Sequence, residues 1–151
     1  AHKDSRSVFR SESPLGVAKV EIHAKAEYRE GDRSRFLVKI TNAGSIPCYF
    51  GGVHKFDEIV VSLYRRSPSG WEFVPPRKEN AQAGEVNRFQ SYRWAILCPG
   101  MTKLLDYPIN QRFALSEGVY RVSGKIEFTI ETFYSSCVSV GPVELVVGEP
   151  R

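Results

Sequence analysis

The chain lacks any long hydrophobic run. Its best apolar stretches, Ile59-Val60-Val61 and Trp94-Ala95-Ile96-Leu97, fall far short of the ~18 residues a membrane helix needs. Cysteine is scarce and irregularly spaced: Cys48, Cys98 and Cys137 form no Cys-x-x-Cys pair, so the usual zinc and redox motifs are absent. One disulfide with a free thiol and three buried thiols both remain open. Gly-x-Ser-x-Gly, His-Glu-x-x-His, P-loop and Gly-x-Gly-x-x-Gly signatures are missing too, as are calcium loops and glycosylation acceptors. Charge of one sign is also lacking. The net charge is only +4, and the densest basic stretch, Arg29 to Lys39, is broken by Glu30 and Asp32. A nucleic-acid domain would cluster its cations on one element, so these charges read as a solvated face.

What remains is an ordinary globular composition, 42% hydrophobic and 25% charged in 151 residues, enough for one domain with its own core. Residues 1–14 show no periodicity and read as a disordered N-terminal arm, leaving 15–151 as the domain. The charged start, Ala1 to Ser7, has no stretch of signal-peptide type, which fits a cytoplasmic protein or a secreted one with its signal removed.

Alternation with a period of two dominates from there on. Ala18, Val20, Ile22, Ala24, Ala26 and Tyr28 interleave with Lys19, Glu21, His23, Lys25 and Glu27, the pattern of a strand with one dry and one wet face. Phe36, Val38 and Ile40 repeat it, ending at Asn42-Ala43-Gly44, and Ile59, Val61 and Leu63 repeat it again. Ser67-Pro68-Ser69-Gly70 reads as a hairpin turn returning through Trp71 to Val74. Arg77 to Gln90 is polar and aperiodic, a long exposed loop. Tyr92, Trp94 and Ile96 are placed on the dry side, and Thr102 to Ile109 is a further strand. The longest alternation joins Tyr120, Val122, Gly124, Ile126, Phe128 and Ile130. The last strand, Val138 to Val147, is interrupted at Gly141-Pro142, where an edge or a bulge is expected because proline cannot donate to a ladder. About eight short strands, with a single helical turn around Gln111 to Leu115, predict an all-β sandwich. Leu115-Ser116-Glu117-Gly118-Val119-Tyr120 fits a tyrosine corner, which points to an immunoglobulin-like Greek-key arrangement.

Catalysis requires a positioned acid, base, nucleophile or metal, and the three histidines offer little: His2 in the arm, His23 on a wet face, His54 in a loop with Asp57 and Glu58. The chain is therefore read as no enzyme, with no cofactor and no metal site. The first reading is a protein-binding module that meets its partner through loops at one end of a rigid sandwich. The contact residues are His54, Lys55 and Phe56 in one loop, and Arg77, Lys78, Arg88 and Phe89 in the other. Two alternatives stand beside it: a carbohydrate-binding module using exposed aromatics among Trp71, Phe89 and Tyr92, and a metal-dependent enzyme around His54.

The order of features from Val38 to Ile126 also carries a resemblance. A strand ends at Asn42; Pro47-Cys48-Tyr49-Phe50 and Gly51-Gly52-Val53-His54-Lys55-Phe56-Asp57 follow, then Gly70-Trp71, Cys98-Pro99-Gly100 and Leu115 to Tyr120. This is similar to the immunoglobulin-like intracellular proteinase inhibitor family, and its closing element resembles the sandwich pro-domains of some secreted metalloproteases. The resemblance implies a β-sandwich whose protein partner is a protease.

Overall fold

The structure, a computed structural model, describes residues 5–15, 18–29, 33–51, 59–77, 94–130 and 134–148. Alternating sequence becomes alternating burial. On β2 (Ala18–Arg29) the even residues Val20, Ile22, Ala24 and Ala26 are buried, as are Phe36, Val38 and Ile40 on β3 (Arg33–Asn42). Both strands join β1 (Ser5–Leu15) and β8 (Thr102–Pro108) in a four-stranded antiparallel sheet of order β1-β2-β3-β8. The opposing layer contains β4 (Cys48–Gly51), β5 (Val60–Ser67), β6 (Gly70–Val74), β7 (Trp94–Leu97), β9 (Gly118–Ile130) and β10 (Tyr134–Val147). In it β9 is the spine. One edge pairs with β10 along its length; the other is shared by β5, opposite residues 120–125, and β4, opposite 128–129. Two antiparallel sheets packed face to face make this an all-β sandwich.

The core lies between the layers. Phe36, Ile22 and Ile40 from the first sheet form one cluster with Phe50, Leu63, Tyr120, Ile126, Phe128 and Leu145 from the second. Phe50 and Phe128 touch as tilted rings 6.3 Å apart between centroids. The expected break in β10 is present as a register shift between Val140 and Val143, and it inverts the strand's parity. Val138 and Val140 are buried before it, Val143, Leu145 and Val147 after it. Without that shift half of the strand would turn its valines to water.

Two hydrogen bonds close the corner ahead of β9. The Tyr120 hydroxyl donates to the Ser116 carbonyl at 2.8 Å and accepts from the Ser116 N–H at 3.0 Å. The tyrosine is 1% exposed, so its ring fills the core while its polar end satisfies the turn. Short helix α1 (Ile109–Arg112) starts ahead of the turn expected around Gln111 to Leu115 and buries Ile109, which the sequence placed at the end of a strand. No helix among the described residues is long and apolar enough to cross a membrane.

Sequence expectations need correction at several points, one of them Glu27, which was placed on the wet face of β2 and is 4% exposed. Residues 5–14, read as part of a disordered arm, join Leu15 in β1, paired in continuous register with β2 from Ser5↔Tyr28 to Leu15↔Ala18. The ladder is a backbone property and leaves no hydrophobic alternation to read; Phe9 packs against the core while Val8 is 63% exposed. Ile96, assigned to the dry side, is 47% exposed, and Leu97 is buried instead. The pairing of Cys48 with Leu97 and Phe50 with Ala95 sets that parity, since Cys48 and Phe50 both point into the core.

All three cysteines are free thiols: Cys48 buried, Cys98 half-buried and Cys137 exposed. Burial, and then the neighbouring Cys98, push the Cys48 thiol above its ordinary range, so little of it is thiolate at neutral pH. Iodoacetamide followed by mass spectrometry is expected to label Cys137 first and Cys98 more slowly. Cys48 should react only when the fold opens. Labelling of Cys48 in the native protein at the rate of Cys137 would contradict this placement.

Candidate functional site

The hairpin between β5 and β6 positions the most chemically distinctive surface of the described chain. Its two-residue turn, Pro68-Ser69, is fixed by the Ser67↔Gly70 pair, and Gly70 adopts a φ of +132°, a conformation that favours glycine. From there the register is determined: Arg66 faces Trp71 and Tyr64 faces Phe73. Leu63 points into the core, so Tyr64 and Arg66, of opposite parity, point out together with Trp71 and Phe73. Arg121 of β9 stands opposite Tyr64 and completes the row.

These side chains contact one another. The Arg121 guanidinium carbon lies 4.2 Å from the Trp71 ring centroid and that of Arg66 lies 5.2 Å away, both at cation–π distance. Tyr64 and Phe73 meet edge to face, with centroids 5.7 Å apart. Glu144 of β10 approaches Arg66 at 3.9 Å, a loose and exposed ion pair. Phe73 is nevertheless 58% exposed and Tyr64 38%. The result is an outward surface of three aromatic rings, in which two arginines flank Trp71 while Tyr64 and Phe73 pack on each other.

Of the contact residues expected from sequence, Arg77 is the one the described structure contains. It is exposed, but its groups are engaged: its N–H donates to the Arg112 carbonyl at 2.9 Å and its guanidinium to the Asn110 carbonyl at 3.1 Å. Arg77 therefore ties the end of the β6 segment to α1. His54, Lys55, Phe56, Lys78, Arg88 and Phe89 lie outside the described residues, as do Tyr92, Asp57 and Glu58. Among the described residues no group of three His, Cys, Asp or Glu side chains gathers to hold a metal ion.

Of the surface on β5, β6 and β9, the sequence-based assignments name Trp71 alone, although the signal for the rest was there. A hairpin turn at Pro68-Ser69 with Leu63 facing inward places Tyr64, Arg66, Trp71 and Phe73 together on the wet side. Comparison of the chain with known protein families, with curated proteins and with solved structures finds no match.

Proposed function

We propose that this chain is a non-catalytic module that recognises another protein, and that the surface of Tyr64, Arg66, Trp71, Phe73 and Arg121 is its contact face. One observation carries the reading: the Tyr64 and Phe73 rings stand exposed on a sheet face beside a half-exposed tryptophan, Trp71, that two arginines cover. Trp, Tyr and Arg are the residue types that dominate binding hot spots, because they bury much area and lose little conformational freedom. An outer sheet face that meets only water gains nothing from a ring as exposed as Phe73. The arginines favour a partner surface that supplies carboxylates.

The Trp71 ring has a guanidinium at 4.2 Å, which covers a face that sugar stacking would need, so the surface favours protein over carbohydrate. The tyrosine corner at Tyr120 supports an immunoglobulin-like, Greek-key description of the sandwich. The resemblance to proteinase inhibitors makes a protease the first partner class to try.

Photo-crosslinking from position 73, in extract of the cells that make the protein, tests the reading. A discrete protein adduct is expected. Against that purified partner, Trp71→Ala should weaken binding by at least roughly tenfold while leaving the unfolding midpoint in place. A protease panel assayed with excess protein then shows whether the partner class is proteases. Equal binding by wild type and Trp71→Ala, or an adduct with glycans alone, would remove this function.

A further inference from the structure

A second surface lies on the outer face of the other sheet. Register places two rows across it: Val8, Lys25, Leu37 and Asp106, and beside them Arg10, His23, Lys39 and Leu104. All face away from the core, because Ala24, Val38 and Leu105 between them are buried. The rows enclose a depression of about 290 Å³ lined by Val8, His23, Lys25, Leu37, Lys39 and Leu104. Val8 is 63% exposed and Leu104 58%, so aliphatic side chains meet water at both of its ends.

The charges of this face are unequally engaged. Asp106 is paired with Arg35, and the Glu21 carboxylate with His23 at 2.5 Å. Glu27, whose side chain is 6% exposed, lies 3.9 Å from Lys25. Lys39 has no carboxylate within ion-pair distance among the described residues and is exposed beside Leu104. The depression is thus mostly apolar in its lining, with the Lys25 and Lys39 side chains bordering its middle.

We infer that this depression docks an extended acidic segment of a partner protein, with two carboxylates at positions i and i+2 facing the sheet and aliphatic residues flanking them. Spacing supports it. Lys25 lies opposite Leu37, and Lys39 is two residues beyond Leu37, a diagonal of roughly 7–8 Å on an antiparallel pair. Same-side residues of an extended strand repeat every ~6.8 Å, so alternate carboxylates can meet both ammonium groups. Size supports it as well. Small-ligand pockets run from about 300 Å³ upward and bury most of the ligand, which an open site with walls this exposed does not do. The site is on the opposite sheet from Trp71 and does not rest on the function proposed for that surface.

A fluorescein-labelled peptide, Leu-Ser-Glu-Ser-Glu-Ser-Leu, read by fluorescence polarisation, tests this docking. Saturable binding is expected, weakened by added salt because the charges are exposed. The isomer Leu-Ser-Glu-Glu-Ser-Ser-Leu, whose carboxylates point to opposite faces, should bind several-fold more weakly. Lys39→Glu should weaken binding roughly tenfold, and Leu104→Ser should weaken it too; both sites are exposed, and unfolding curves confirm the fold. Trp71→Ala should leave binding unchanged, which separates failure here from failure at the aromatic surface. No saturable binding in the millimolar range overturns the inference, as does equal binding of the two isomers or indifference to Lys39→Glu. Binding of decanoate with the same lysine dependence, and none of the peptide, overturns it in favour of a free amphiphile.

Discussion

Replacing Asn42 by alanine is expected to remove about 3 kcal/mol of stability, since each buried polar group left without its partner costs roughly 1–3 kcal/mol. Asn42 ends β3 at 1% exposure. Its amide nitrogen donates to the Leu97 carbonyl at 2.8 Å and to the Ile46 carbonyl at 2.9 Å, and its side-chain oxygen accepts from the Gly44 N–H at 2.9 Å. Its backbone joins the turn before β8, donating to the Met101 carbonyl at 3.0 Å and accepting from the Gly100 N–H at 2.8 Å. One residue therefore fastens the end of the first sheet to β7 of the second and to the connection between them. Alanine leaves three backbone groups short of a partner; the Leu97 bond is buried, while water can reach the other two more easily. For a chain of this size a loss of that order lowers the melting temperature by roughly 6–12 °C. Asn42→Asp should be worse at neutral pH, because it keeps the acceptor for Gly44 and turns a carboxylate toward two carbonyl oxygens. Chemical denaturation of both variants measures this. A loss below about 1 kcal/mol for alanine would show that the bonds are replaced by solvent.

Asn42 also marks the boundary of what sequence reveals. That β3 ends there was legible, because Asn-Ala-Gly closes an alternating run. That its amide crosses to Leu97 was not, because the contact depends on how two sheets stack, and no local pattern encodes that. The same division runs through the fold. The dry faces of β2, β3 and β9 were readable because water on one side and core on the other impose a period of two. The inversion in β10 was half readable: Pro142 announced a break, and only pairing with β9 showed that parity changes there. The four apolar residues of β7 have no alternation at all, so their orientation comes from β4 alone. Strand β1 was invisible for the opposite reason, being held by its ladder to β2 with few apolar side chains to advertise it.

The candidate surface divides in the same way. Composition drew attention to polar loops, whereas the described aromatic surface sits on strands, where cross-strand pairing brings Arg66 to Trp71 and Tyr64 to Phe73. Turn chemistry and parity together could have located the hairpin half. The contribution of Arg121, which lies on β9 far along the chain from the hairpin, required the sheet order.

Core packing has its own sharp test where the Ile59 side chain lies against Gly124 of β9. Gly124 belongs to the inward row of β9, and a methyl group there would come 2.6 Å from Ile59 Cδ1 and 3.3 Å from Phe36 Cε2. The glycine is therefore the hollow into which the Ile59 side chain packs, with Ile59 itself 4% exposed. Ile59→Ala empties that hollow and should cost about 2–5 kcal/mol. Gly124→Ala overfills it and should cost about 1–3 kcal/mol, because the close atoms must move within a packed interior. Together the two changes compensate. The new methyl occupies part of the space that the isoleucine vacated, so the double variant should be more stable than the sum of single effects predicts, by about 0.5–3 kcal/mol. Phe36 remains in place in every variant, so the recovery is partial and Gly124→Ala keeps some of its penalty. Urea denaturation of the four proteins gives the coupling directly. Strict additivity would mean that Ile59 does not occupy the hollow at Gly124, and the packing of Ile59 against the inward face of β9 would have to be redrawn.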